Sequence, residues 1–292
     1  MSRPNFFIVG AAKSGTSAIH ALLQQHPEIF MSVEKEPCYF APQDALRNIW
    51  PDMAKNPVSH ELDAYLALFA DSENQKVVGE SSTTYAMLPY FSGVADRIRA
   101  FNPESRILFV LRNPVQRALS HYWHRVRRGL ETRTPEQALS PGSIYLSVSD
   151  YATQISEYLR HFNERRIKLI LTEEFAVEPA AIYQSVCEWL EVDPSFAPDG
   201  LFEKKHVTPS DIRRARGPVG ASLLLSSSRL HFLKPIIPES LIQRIKDILS
   251  PKVVTHGENF EGLIEELRDH FVPKQDRLRE ITGRDFSAWN LD

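Results

Sequence analysis

Phe6-Phe7-Ile8-Val9-Gly10-Ala11-Ala12-Lys13-Ser14-Gly15-Thr16-Ser17 is the stretch from which the architecture can be read. Its first four residues are apolar without interruption and stop at Gly10, the pattern of a short strand buried on both faces. Beyond the turn, Ala18, Ile19, Leu22 and Leu23 recur at helical spacing until Pro27 ends the run. The first N–H groups of such a helix have no partner within it, and the helix dipole favours negative charge there. Gly15 lets the backbone approach an oxyanion closely. Thr16 and Ser17 add hydroxyls, Ser14 lies between, and Lys13 adds a full positive charge. Together they describe a P-loop-like cradle for a phosphate. It departs from the Walker pattern G-x-x-x-x-G-K-[ST], in which the lysine follows the second glycine. Here Thr16 holds that position and the lysine stands two residues before Gly15.

Further strands are expected at Val77–Gly79, Ile107–Leu111 and Ile167–Leu171, with helices between them, including Asp150–Asn163 and Ala180–Leu190. Strands alternating with helices predict an α/β fold with a central parallel sheet and helices on both faces. Ligands of such folds sit beyond the carboxyl ends of the strands, so the residues after Val9, Gly79, Leu111 and Leu171 are the ones to inspect. Residues 260–281 have helical periodicity, expected to break near Pro273. Leu223–Leu225, a serine run and the proline-containing Leu233–Ile237 suggest a helical excursion at about 217–255, within one domain expected to span 1–292.

Leu111 is followed by Arg112-Asn113-Pro114. Proline suits the first helical position, Asn113 the N-cap, and Gln116 completes a capping-box spacing. The helix should reach about Gly129, with Val115, Ala118, Leu119, Tyr122 and Val126 on one face and Arg117, His121, His124, Arg125 and Arg128 opposite. Ser120 falls on a flank near His124. An arginine at a strand's carboxyl end with a hydroxyl nearby suits a terminal phosphate, so Arg112 and Ser120 form a second candidate anion site. Arg125, Arg127 and Arg128 are expected to be a solvated surface. A third element is Lys35-Glu36-Pro37-Cys38-Tyr39-Phe40. Pro37 is expected to hold Glu36 extended, and a carboxylate of ordinary pKa can accept a proton.

The 292 residues carry a formal charge of −3, so the global basic field of a nucleic-acid binder is absent and any anion site must be local. The two cysteines, Cys38 and Cys187, form neither a disulfide framework nor a zinc spacing. Neither a signal-peptide pattern nor a run of 18 apolar residues is seen, which predicts a cytoplasmic chain without an integral membrane segment.

Taken together, Lys13-Ser14-Gly15-Thr16-Ser17, then Lys35-Glu36-Pro37 with Tyr39-Phe40, then Arg112-Asn113-Pro114 with Arg117 and Ser120 resemble the family of sulfotransferases that use 3′-phosphoadenosine 5′-phosphosulfate (PAPS). The resemblance is to the branch of heparan sulfate sulfotransferases and their bacterial relatives. It covers residues 5–40 and 77–130, and Gly283-Arg284-Asp285-Phe286-Ser287-Ala288-Trp289 is similar to bacterial members. It implies that Lys13 to Ser17 bind the 5′-phosphosulfate, Arg112 and Ser120 the 3′-phosphate, and Glu36 deprotonates a hydroxyl or amine acceptor, a carbohydrate or small metabolite. It also implies PAPS as co-substrate, no required metal, and a basic closing loop within Lys204–Gly217 (Lys204, Lys205, Arg213, Arg214, Arg216). Two positions depart from the branch. Cys38 stands where several relatives have histidine, and Glu80 is followed by Ser81 rather than lysine, which puts a heparan-like acceptor in doubt. The competing readings are a kinase with an irregular phosphate loop, which should need Mg²⁺, and a nucleotide-binding protein without activity.

Overall fold

The computed structural model describes residues 3–202, 211–213, 252–254 and 260–291. In chain order its strands are β1 (Phe6–Gly10), β2 (Ile29–Met31), β3 (Val77–Ser81), β4 (Arg106–Leu111), β5 (Ile167–Leu171), β6 (Asp211–Arg213) and β7 (Lys252–Val254). The helices are α1 (Thr16–Leu23), α2 (Gln43–Ile49), α3 (Pro51–Ala54), α4 (Leu62–Ala67), α5 (Val94–Phe101), α6 (Pro114–Arg127), α7 (Pro135–Ala138), α8 (Ile144–Ser149), α9 (Tyr151–His161), α10 (Thr172–Val177), α11 (Pro179–Leu190) and α12 (Glu261–Thr282).

Strands β1 to β5 form a parallel sheet in the order β2-β3-β1-β4-β5. Alternate residues of β1 and β4 point to opposite faces. Phe7, Val9, Ile107, Phe109 and Leu111 join a core with α5, α6, α9 and α12. Phe6, Ile8, Leu108 and Val110 join the other, with α1 and α11. Both faces are therefore covered, which explains why these strands read as continuous apolar runs. The chain leaves β1 toward β2 and β3, then crosses back over β1 to β4. The order thus reverses between β1 and β4, and the crevice at their carboxyl ends is where such a sheet binds ligands.

The structure corrects three details and leaves a fourth mostly outside the described residues. β2 was not foreseen; it has three residues, too few for a periodic signal. β3 runs on to Ser81, so Glu80 lies inside a strand instead of following one. α12 continues through Pro273. The proline removes one backbone bond, but Leu267 and Phe271 before it and Leu278 after it remain buried on one face. The excursion expected at about 217–255 falls mostly outside the described residues; its described part, 252–254, is strand β7, paired antiparallel with β6.

Candidate active site

The phosphate-loop candidate leaves β1 at the switch point. Gly10 is required there, because a Cβ would stand 2.8 Å from the Ala86 Cβ. Gly15 has φ of 91°, in the left-handed region open to glycine, and the space where its Cβ would point is empty. Helix α1 then starts at Thr16 with no side chain capping its amide groups, which leaves those donors for a ligand. The loop is braced from β4 and from the end of β5. Ala11 N–H donates to the Val110 carbonyl of β4 at 2.7 Å. Thr172, at the end of β5, turns its hydroxyl between the carbonyls of Ser14 (2.7 Å) and Leu111 (2.8 Å).

Lys13 lies where cations crowd. Burial lowers its pKa first, and the positive charges of Arg127 and Arg112 lower it further. Burial, then Lys13 and three arginines of α6 and its end, push His124 down to about 4, so it is neutral at neutral pH. His121 is also held well below its usual value, first by burial and then by Arg117 and its other cationic neighbours. Among the described residues Lys13, Lys35 and Arg112 take part in no ion pair. Lys13 and Arg112, close together at an uncapped helix N-terminus, fit a polyanionic ligand, whose charge would relieve their repulsion. Ser14 Oγ fits the same purpose: it is buried beside the Tyr151 hydroxyl, without a well-formed hydrogen bond.

On the β4 side, Asn113 caps α6 by accepting from Gln116 N–H at 3.1 Å, with Pro114 in the first turn, as its spacing predicts. Arg112 bonds Gln116 Oε1 at 3.1 Å, which lays its guanidinium over the first turn of α6. Ser120 lies further up that helix, about 9 Å along the axis from Pro114, and is 8% exposed. The structure thus brings Lys13 and Arg112 into electrostatic reach of each other, with Ser120 on the adjoining helix. The basic loop expected at 204–217 lies outside the described residues except for 211–213.

The face assignment of α6 holds for Val115, Ala118, Tyr122 and Val126, which are buried, but Arg117 is not a solvent-side residue. It is fully buried. It donates to Ser149 Oγ at 2.5 Å, to the Tyr145 carbonyl, and to the carbonyl of Ala12 in the phosphate loop at 3.3 Å. His121 beside it is buried as well. Helical spacing placed both opposite the apolar stripe, but α8 covers that flank, so α6 is buried on more than one side.

Glu36 stands across β1, on the segment joining β2 to α2. Its carboxylate accepts from Thr83 N–H at 2.7 Å and from the Thr83 hydroxyl at 3.1 and 3.2 Å. Its φ is 60°, left-handed and not the extended conformation expected before Pro37, and Cys38 repeats it at 57°. The backbone bonds of this segment to β3 and the following turn hold it in that shape: Glu36 N–H donates to the Ser81 carbonyl at 2.8 Å, and Cys38 N–H to Ser82 Oγ at 3.1 Å. Nor is its pKa ordinary. Burial raises it, against Lys35 and the two Thr83 bonds, which lower it. Lys35 reaches back to Ser17 Oγ at 2.7 Å and so ties the Glu36 segment to the phosphate loop.

Glu80 was missed as a site residue. It is fully buried and accepts from the hydroxyls of Tyr65 (3.0 Å), Tyr85 (2.8 Å) and Ser82 (2.7 Å). Burial raises its pKa to about 7, the three donors lower it, and the Glu36 charge raises it again. An acid closing an apolar strand was the available signal. Glu173 was missed too: it accepts from Asn113 N–H at 2.9 Å and from Trp289 Nε1 at 3.1 Å, while Asn113 Nδ2 donates to the Trp289 carbonyl at 2.7 Å. The C-terminal segment thereby clamps the turn that carries Arg112.

Fold and site define an α/β protein with an uncapped helix N-terminus at its switch point, cations around it and a carboxylate beside it. The chain belongs to the sulfotransferase family, whose profile matches residues 4–197. It is 25% identical over 219 residues to the bifunctional heparan sulfate N-deacetylase/N-sulfotransferase 1 of Caenorhabditis briggsae, a match covering 67% of this chain and 23% of that protein. It is 24% identical over 283 residues to human carbohydrate sulfotransferase 15, covering 75% of this chain and 48% of the relative. The chain thus spans less than half the length of either relative. A crystal structure of a sulfotransferase from Alicyclobacillus acidocaldarius superposes with a TM-score of 0.68 at 29% identity, covering 99% of this chain and all of that one. Among the described residues no helix is long and apolar enough to cross a membrane.

Proposed function

We propose that this chain transfers the sulfuryl group of PAPS to a hydroxyl or amine of a carbohydrate acceptor, releasing adenosine 3′,5′-bisphosphate. The observation that carries the reading is the juxtaposition, across β1, of a cationic helix N-terminus and a carboxylate held by Thr83. Lys13, Ser14 to Ser17 and the α1 N-terminus hold the 5′-phosphosulfate. Arg112 and Ser120 hold the 3′-phosphate. The acceptor attacks sulfur in line as the bond from sulfur to the bridging phosphate oxygen breaks. Glu36 takes the acceptor's proton, and Lys13 meets the charge that builds on the leaving phosphate. Positioning and neutralisation carry the chemistry, with no metal required. The carbohydrate reading is supported by the named relatives. We place the enzyme in the cytoplasm, on its two free, buried cysteines.

The test is transfer of labelled sulfuryl from PAPS by the wild type and by Glu36→Gln, with and without EDTA. The amide keeps the shape but takes no proton, so turnover should fall by about 10²–10⁴-fold while nucleotide affinity is kept. EDTA should leave the wild type active. Because burial raises the Glu36 pKa, wild-type turnover should decline with falling pH above the ordinary carboxylate range, as the base becomes protonated. Full activity in Glu36→Gln, or loss of transfer to EDTA with recovery on Mg²⁺, would overturn the corresponding part of the reading.

A further inference from the structure

The Glu36 segment is held by acceptors that are themselves set by one buried group. Cys38 N–H donates to Ser82 Oγ at 3.1 Å, and Phe40 N–H to the Tyr85 hydroxyl oxygen at 3.3 Å. A hydroxyl offers lone pairs to an amide only when its own hydrogen points elsewhere. Both hydrogens point to the same place: Ser82 donates to Glu80 Oε2 and Tyr85 to Glu80 Oε1. Tyr65 donates to Oε1 as well, and its ring stacks on Tyr39, with centroids 4.4 Å apart and planes 9° from parallel. Each of Cys38, Tyr39 and Phe40 therefore rests on a group whose hydrogen ends on Glu80. Ser82 also adjoins Thr83, which clamps the Glu36 carboxylate. Cys38 and Glu36 keep left-handed φ values of 57° and 60°, which non-glycine residues adopt only where their surroundings impose them.

We propose that Glu80 is a positioning residue for Glu36: by drawing in the hydroxyl hydrogens of Ser82, Tyr85 and Tyr65, its carboxylate turns their lone pairs and rings onto residues 38–40 and so fixes the left-handed turn that presents Glu36 to the acceptor. It touches neither donor nor acceptor. The proposal rests on the reading of Glu36 as the base, but its structural half does not.

Glu80→Gln tests it. The amide has nearly the same shape, but whichever way it turns its NH₂ faces a hydroxyl that the carboxylate received as a donor. That hydroxyl must reorient: at Tyr85 its hydrogen is turned toward Phe40 N–H, and at Ser82 it competes for the oxygen that Cys38 N–H uses, so one of the two bonds is lost or weakened. Amide hydrogen exchange at Cys38 and Phe40 should quicken by about tenfold or more as the segment opens locally, with exchange in β4 unchanged. Turnover should fall by about 10–100-fold, since a small misplacement of a reacting group is that costly. The KM for PAPS should stay within about twofold, because a group outside the donor site leaves donor binding alone. In a Glu36→Gln background, Glu80→Gln should cost no further turnover. Unchanged exchange at both amides would sink the proposal, as would an equal loss of turnover in both backgrounds. Should Glu80→Gln fail to fold, Ser82→Ala serves: it removes the acceptor of Cys38 while Glu80 keeps both tyrosines, so fast exchange at Cys38 supports the proposal and wild-type exchange there refutes it. If Glu36→Gln alone retains turnover, the base assignment fails while the exchange result still decides what Glu80 holds in place.

Discussion

At the scale of single residues, the site separates its cations by the strand each follows. Lys13 follows β1 and Arg112 follows β4, so they should read different phosphates of the donor although each feels the other's charge. Arg112→Ala should weaken PAPS binding by about tenfold or more, the cost of a charge-assisted contact of about 1.5–3 kcal/mol. It should hardly affect adenosine 5′-phosphosulfate, which lacks the 3′-phosphate. Ser120→Ala should show the same selectivity with a smaller loss. Lys13→Ala should impair both nucleotides and lower turnover more than binding, if its charge is matched to the leaving phosphate. Calorimetric titration of both nucleotides into each variant makes the comparison. Equal weakening of the two by Arg112→Ala would remove Arg112 from the 3′-phosphate.

At the scale of elements, α6 is anchored to the phosphate loop from inside. Arg117 spans from α6 to α8 and to the Ala12 carbonyl, so a shift of α6 would move the loop and the Arg112 turn together. Arg117→Ala leaves those acceptors unpaired in a dry interior and opens a cavity. It should cost about 2–4 kcal/mol in urea denaturation, from the cavity and the unsatisfied acceptors; a loss below about 1 kcal/mol would show that the tie carries little. This residue also shows how far the sequence could be read. The period of α6 placed Val115, Ala118, Tyr122 and Val126 correctly, because the sheet-facing stripe of a helix repeats at short range. It could not foresee that α8, more than twenty residues further on, would cover the next flank and bury Arg117 and His121. The candidate phosphate loop, the α6 cap and the Glu36 candidate could be singled out because each is a local pattern of residue types; of these the structure shows the cap. The φ of Glu36, the burial that raises its pKa, and the Glu80 hub could not, because they arise from β3 and the turn after it packing against a segment forty residues earlier in the chain. Arg284 and Trp289 stood in a stretch similar to bacterial sulfotransferases, yet only the fold shows that they grip β5, α10 and the Arg112 turn.

At the scale of the whole molecule, a chain of net charge −3 concentrates positive charge at one end of its sheet. That arrangement costs folding stability through mutual repulsion of Lys13, Arg112 and Arg127, and a bound polyanion would return it. Ligands that bind only the folded state raise the melting temperature in proportion to the logarithm of their saturation. PAPS and adenosine 3′,5′-bisphosphate at one hundred times Kd should each contribute about 2.7 kcal/mol, and for a chain of this size that corresponds to a rise of about 4 °C. ATP has the 5′-phosphates but not the 3′-phosphate, so it should engage the Lys13 loop without Arg112 and raise the melting temperature clearly less at the same concentration. EDTA should change none of these shifts, and raising the salt concentration should shrink all of them, because charge pairing at a partly open site is screened. The comparison also separates the competing readings. A larger shift with ATP than with adenosine 3′,5′-bisphosphate, dependent on Mg²⁺, would fit a kinase. Equal shifts with the bisphosphate and PAPS, accompanied by no transfer to any acceptor, would fit a nucleotide-binding protein. Only a 3′-phosphate preference that disappears in Arg112→Ala, together with transfer lost in Glu36→Gln, joins the two sides of β1 into one active site.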